Sequence, residues 1–180
     1  MKINKILIVL GEPYSTFSEI LFKYFNSREF SKNKKKIILI GSKNLLQKQM
    51  KKLKFKFNLK SINNLKDTKV NQINILNVNY NSKKIFSEIT SGSKKYISNC
   101  FKLAFDLIKT NKKIALINGP ISKKFFLKKK YPGVTEYISQ KTKSKNQVML
   151  IYNDEISVSP ITTHLPLKLV AKNINKKKNN

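Results

Sequence analysis

The sequence predicts an α/β fold with a largely parallel sheet, and three observations predict it. Short apolar runs recur at residues 3–10 (INKILIVL), 36–41 (KIILIG) and 113–118 (KIALIN), each the length of a buried strand. Between them lie segments whose apolar residues are spaced three and four apart, the period of a helix with one face on a core. Two of the runs stop at Gly11-Glu12-Pro13 and Gly119-Pro120, which end a strand abruptly. Strands that alternate with helices build parallel sheets.

The elements follow in order. After the first strand, a helix beginning near Ser15 or Ser18 and running to Tyr24 carries Ile20, Leu21, Tyr24 and Phe25. After the second strand, Ser42 is placed to cap a helix with Leu45, Leu46, Met50 and Leu53 on one face. Residues 54–69 have little pattern. Residues 73–80 read as an edge strand and 81–91 as a polar loop. A long amphipathic helix is expected over 91–110, with Ile97, Phe101, Ala104, Leu107 and Ile108 inward. Beyond the third strand, helices are expected over 122–130 and 135–141, the latter capped by Thr135 with Glu136 in its first turn. Residues 147–152 and 155–159 read as two strands turned at Asn153-Asp154, and a helix begins at Leu167.

Composition narrows the function. Hydrophobic residues are 40% of the 180, enough for a packed core and too many for a disordered chain. No apolar run approaches the roughly 18 residues of a membrane helix, so no membrane partner is expected. Cys100 is the only cysteine, which excludes an intrachain disulfide and points to the cytoplasm. The net charge of +29 rests on 38 basic residues of which Arg28 alone is arginine. Asn and Ile are abundant too, and Lys, Asn and Ile share A/T-rich codons. The lysines are spread along the chain, whereas nucleic-acid surfaces favour arginine for bidentate contacts. This excess therefore reads as composition, not as a nucleic-acid interface, although it draws small anions towards the surface. There is no GxGxxG, no GxxxxGK[ST], no GxSxG elbow and no cysteine pair for a metal.

Three segments stand at predicted strand ends, where open α/β sheets bind ligands. They are Gly11-Glu12-Pro13; Gly119-Pro120-Ile121-Ser122-Lys123 with Gly133-Val134-Thr135-Glu136; and Thr162-Thr163-His164-Leu165-Pro166-Leu167. In this order and spacing they resemble the 4-hydroxythreonine-4-phosphate dehydrogenases of pyridoxal phosphate synthesis. That family carries a GEP turn, a GP-x-x-K turn, a G-H-T-E segment and a T-T-H-[LIV]-P-L segment.

The resemblance implies a sheet like those of the isocitrate and isopropylmalate dehydrogenases, with flanking helices. It implies oxidation of 4-phosphohydroxythreonine by NAD or NADP, loss of carbon dioxide, and a divalent metal (Zn²⁺, Mg²⁺ or Co²⁺). By position, His164 matches a metal-ligating histidine, Thr135 a substrate-contacting threonine, and Lys123 a candidate for the substrate's charge. The alternative readings are a loop histidine, a helix cap and a surface lysine. A small phosphorylated substrate and a homodimer are implied partners. Two departures stand out: Val134 replaces the family's histidine, and Tyr14-Ser15-Thr16-Phe17 replaces its glycines. They leave open a related dehydrogenase of another phosphorylated hydroxy acid. A non-catalytic relic that binds anions or nucleic acid through its lysines is the further alternative. Family chains are nearly twice this length. The expectation is that 1–174 form the N-terminal half of the fold, truncated, with 175–180 a polar tail, and that the remaining metal ligands and phosphate-binding residues lie outside this sequence.

Overall fold

The computed structural model describes residues 3–128, 130–144 and 147–174. The tail expected at 175–180 lies outside them. The chain divides into two compact units, Met1–Lys128 and Lys129–Asn180.

The first unit is a five-stranded sheet. Its strands are β1 (Lys5–Val9), β2 (Lys36–Gly41), β3 (Leu59–Ser61), β4 (Ile73–Asn77) and β5 (Ile114–Asn118), in the order β3-β4-β2-β1-β5 and all parallel. The sheet is covered by α1 (Phe17–Phe25), α2 (Arg28–Lys32), α3 (Lys43–Lys52) and α4 (Lys94–Thr110). Side chains alternate along each strand. Ile8 and Leu10, Ile37 and Leu39, and Ile73 and Ile75 join Leu21, Phe22 and Phe25 of α1 and Leu46 and Met50 of α3 in one core. The opposite set, Leu7, Val9, Ile38 and Ile40, is wholly buried too, and α4 packs on β1 and β2. Both faces of the sheet are covered at its centre, which is why β1 and β2 read as continuous apolar runs, whereas β5 at the edge is only partly buried.

Ser42 caps α3 as expected, accepting from the Leu45 amide at 3.3 Å. Other expectations change, and two short elements went unforeseen. Residues 73–80 are not an edge strand, because β3 lies outside β4. β3 and α2 are three and five residues long, too short to show a period. The inner face of α4 is Tyr96, Ile97, Cys100, Phe101, Ala104 and Phe105, while Leu107 and Ile108 are only partly buried. The helix expected over 122–130 is a single wide turn, Lys123–Leu127, in which the Leu127 and Lys128 amides reach back five residues to the Ser122 and Lys123 carbonyls.

The second unit holds α5 (Val134–Thr142), a two-stranded antiparallel ribbon of β6 (Ile151–Tyr152) and β7 (Ser157–Val158), and α6 (Leu167–Asn173). The turn at Asn153 is as expected: its side chain accepts from the Glu155 and Ile156 amides at 2.7 and 2.9 Å. The strands are shorter than the sequence suggests.

Candidate functional site

The order of the sheet places a topological switch at β1. The chain leaves β1 towards β2 on one side and later returns to lay β5 on the other. Loops that diverge from two such strands open a crevice at their C-terminal ends. Here those loops are Gly11-Glu12-Pro13 and Gly119-Pro120.

The two loops are pressed together. The Glu12 amide donates to the Pro120 carbonyl at 2.9 Å, and the Gly119 amide to the Val9 carbonyl at 2.7 Å. A Cβ on Gly119 would stand 2.3 Å from the Leu10 carbonyl oxygen, and one on Gly11 2.4 Å from that of Pro120. Gly11 also has φ +72°, a conformation that costs other residues strain.

Glu12 is buried at 3% exposure, and both of its carboxylate oxygens accept hydrogen bonds. Oε2 accepts from the Ser93 hydroxyl at 2.7 Å, just before α4, and Oε1 accepts from the Ser122 amide at 3.1 Å. One side chain thus ties β1, the start of α4 and the loop after β5. The carboxylate is met by donors in fixed positions, as a buried polar group requires. The GEP segment is therefore a brace, with each oxygen of Glu12 engaged by a protein donor. Sequence reasoning placed Glu12 at a strand end without finding this role. Its two partners lie 81 and 110 residues away, beyond any local pattern.

Ser122 continues the chain of contacts. Its hydroxyl accepts from the Phe125 amide at 3.0 Å and starts the wide turn. Lys123 is the first residue of that turn and is exposed.

Thr135 and His164 belong to the second unit. Thr135 does not cap α5: the cap position is Gly133, with no side-chain hydrogen bond, and Thr135 sits in the first turn. Gly133 can take this place because its backbone is extended and glycine is tolerated there. The hydroxyl of Thr135 is therefore not committed as a cap. Thr135, Glu136 and Thr163 line one pocket of about 540 Å³ together with Ser159 and Gln147.

His164 lies in the loop before α6, with its side chain about half exposed and φ +58°. A left-handed backbone at a histidine is uncommon, and such residues gather at functional sites. Its Nε2 stands 3.9 Å from Oε1 of Glu136. The other oxygen of Glu136, Oε2, is buried without a hydrogen-bond partner. Sequence reasoning gave Glu136 only a helix-dipole role. The signal that could have found it is the Gly-Val-Thr-Glu spacing, which puts Glu136 at the third residue of the helix, where a carboxylate folds back over the cap.

A single imidazole beside a carboxylate is suitable chemistry for one corner of a metal site. Among the described residues, however, no group of three His, Cys, Asp or Glu comes together, and a catalytic ion draws about three protein ligands. The described residues fit part of such a site and not a whole one.

A family model described as "Pyridoxal phosphate biosynthetic protein PdxA" matches residues 33–180. The 4-hydroxythreonine-4-phosphate dehydrogenase of Sulfurihydrogenibium sp. (strain YO3AOP1) is 32% identical over 97% of this chain and 54% of its own length. The chain belongs to the PdxA family. The enzyme of the same name from Aquifex aeolicus (strain VF5) is 27% identical, over 96% of this chain and 53% of its own.

Solved structures share the fold. A 4-hydroxythreonine-4-phosphate dehydrogenase from Burkholderia phymatum superposes with a TM-score of 0.83 at 17% identity, covering 99% of this chain and 55% of that one. One from Klebsiella pneumoniae gives 0.80 at 20%, covering 99% and 56%. This chain spans about half the length of the PdxA relatives it matches. The family is one of dehydrogenases, and the expected sheet with flanking helices is present. No helix among the described residues is long and apolar enough to cross a membrane.

Proposed function

We propose that this chain supplies part of a 4-hydroxythreonine-4-phosphate dehydrogenase. The observation that carries the reading is the second unit's pocket: Thr135, Glu136 and Thr163 line it, and His164, beside Glu136, adjoins that group. These are the positions of the family's GxTE and TTHLPL segments. The reaction transfers hydride from the secondary alcohol carbon of 4-phosphohydroxythreonine to NAD or NADP and releases the hydroxyl proton. The β-keto acid then loses carbon dioxide, leaving 3-amino-2-oxopropyl phosphate. His164 would be this chain's ligand to a divalent ion, Zn²⁺, Mg²⁺ or Co²⁺, which when bound would supply a pull on the oxidised oxygen.

Thr135 has an uncommitted hydroxyl at the start of α5, where amides and the helix dipole favour an anion. It contacts the substrate, and Lys123 supports the substrate's negative charge. The enzyme works as a cytoplasmic homodimer. Substitution of Val134 for the family's histidine removes one polar contact, so the substrate is held by fewer groups than in relatives that keep it.

The test is direct. In a complete enzyme carrying these segments, His164→Ala lowers metal content and abolishes NADH production, since loss of one ligand of three weakens an ion site sharply. Normal metal content with normal turnover in that variant removes His164 from the site. Thr135→Ala raises KM for the phosphorylated substrate; a lowered Tm with unchanged KM and kcat assigns Thr135 to helix stability alone. The 180-residue chain contains one histidine and, by itself, gives no NADH with substrate and added Zn²⁺, Mg²⁺ or Co²⁺. Sustained turnover that vanishes in His164→Ala shows instead that this chain is a working enzyme.

A further inference from the structure

The loop that carries His164 is exposed, and the residue's backbone is left-handed. An imidazole on such a loop has two free torsions and two tautomers. A functional site needs one orientation and one tautomer, and a hydrogen-bond partner on the ring selects both. Among the described residues the carboxylate next to the ring is Glu136, 28 positions earlier in the chain.

Three features of Glu136 bear on this role. Its backbone is in the first turn of α5, a nine-residue helix, so its origin is fixed by helical hydrogen bonds. Its carboxylate lies back across Gly133: a Cβ there would stand 2.9 Å from Oε2. The lack of a side chain at Gly133 is what gives the carboxylate its place. Third, Oε2 is buried with no partner, although buried carboxylate oxygens are normally satisfied. Oε1 already faces Nε2 of His164 at 3.9 Å, beyond a direct hydrogen bond and within the reach of a small ring rotation.

We propose that Glu136 is the positioning residue of His164: its carboxylate accepts the Nε2–H of the imidazole, fixes the proton on Nε2 and leaves the Nδ1 lone pair as the ring's free donor atom. This rests on the reading of His164 as the functional histidine. It adds a residue and a tautomer to that reading. Carboxylates that orient ligand histidines do so by this geometry, and they raise the basicity of the opposite nitrogen.

The sequence makes the test clean, because His164 is the only histidine. Imidazole-¹⁵N labelling of the 180-residue chain gives a single ring. Long-range ¹H–¹⁵N correlation is recorded at pH 8, above the ordinary range of histidine. The wild-type chain shows the Nε2–H tautomer alone and contacts between the ring and the Glu136 side chain. Glu136→Ala returns the ring to the tautomer mixture of free imidazole. Glu136→Gln restores the single tautomer, because the amide carbonyl still accepts. Gly133→Ala is the independent variant. It keeps the carboxylate and pushes it from its seat, and it gives the same mixture as Glu136→Ala. A wild-type ring with the free-imidazole mixture, or an unchanged ring in both Glu136→Ala and Gly133→Ala, overturns the proposal. These readouts need neither metal nor substrate. The His164→Ala assay in a complete enzyme fails or succeeds separately, so an idle histidine and an idle glutamate are told apart.

Discussion

The two units treat their apolar side chains in opposite ways. In the sheet unit Leu7, Val9, Ile38, Leu39, Ile40 and Ile75 are at 0% exposure. In the second unit Val148 is 74% exposed, Tyr152 67%, Ile156 64% and Leu167 88%. The sheet unit buries β1, β2 and β4 well, while β5 at its edge is only partly covered. The second unit carries Thr135 and His164, two of the three site residues the family resemblance singles out, and its ribbon and α6 leave apolar surface open. Most of the candidate chemistry thus lies outside the best-buried part of the chain. Polar motifs at the strand ends of the first unit brace the fold, and those of the second face a pocket.

The largest effects of substitution belong to the sheet core. Phe22 is 1% exposed and touches the rings of Phe55 and Phe57, with centroids 5.6 and 6.2 Å away. Phe22→Ala lowers the unfolding free energy by about 3–5 kcal/mol, from lost burial and the cavity left behind. Leu167→Ala in the second unit changes it by less than about 0.5 kcal/mol, the usual range for an exposed position. Urea unfolding of both variants checks the pair. Equal losses would mean that the apolar surface of α6 is covered in solution.

Next comes the brace. Glu12→Ala leaves the Ser93 hydroxyl and the Ser122 amide without their acceptor. The cost is about 3 kcal/mol, given that hydrogen bonds to a charged group contribute about 1.5–3 kcal/mol each and are not additive. Glu12→Gln retains a carbonyl acceptor and loses less. Circular dichroism against urea measures both. Equal stability of Glu12→Ala and the wild type would free Glu12 for a ligand role after all.

How much of this was legible in the sequence follows the same division. Apolar runs marked β1 and β2 because both of their sheet faces are covered, and β5 although it is only partly buried; Ser42 announced α3 by its chemistry. What escaped was short or distant. β3 and α2 complete no period, and the Glu12 brace joins residues with no local relation. The wide turn at Lys123–Leu127 keeps the apolar spacing of a helix, so its pattern misleads. In the second unit, His164 and Thr135 were found only through their motifs. A half-exposed histidine in a loop carries no periodic signal, and the pairing with Glu136 needed coordinates.

The alkaline limb of the stability curve probes the burial of the sheet unit through one thiol. Cys100 is wholly buried on α4, and burial pushes its thiol from 9.0 up to about 12. The unfolded thiol ionises from about pH 9 and the native one does not. The unfolded state therefore binds fewer protons between pH 9 and 12, and stability falls as pH rises through that window. One such group costs the sheet unit about 1 kcal/mol at pH 10. Cys100→Ala removes this contribution to the slope, whatever its own packing cost. A thiol reagent at pH 8 labels Cys100 only through opening of the sheet unit. Rapid labelling under native conditions would show that α4 leaves the sheet easily.

The smallest effect concerns His164 itself, and its sign carries the information. A residue with a Cβ held at φ +58° bears roughly 1 kcal/mol of backbone strain, less for histidine than for branched residues. Half exposed, the ring buries little. His164→Ala keeps the strain and loses the ring, and His164→Gly loses both. If the loop enforces the left-handed backbone, the glycine variant is the more stable of the two by up to about 1 kcal/mol, although glycine has more freedom to lose on folding. Both variants lack the imidazole and therefore any chemistry it supplies. Hydrogen exchange at the α5 and α6 amides reads the difference locally, where a global melt dominated by the sheet would hide it. An alanine variant more stable than the glycine one would mean that the loop relaxes to an ordinary conformation once the ring is gone. In that case the ring and its contact with Glu136, not the surrounding backbone, hold His164 in place.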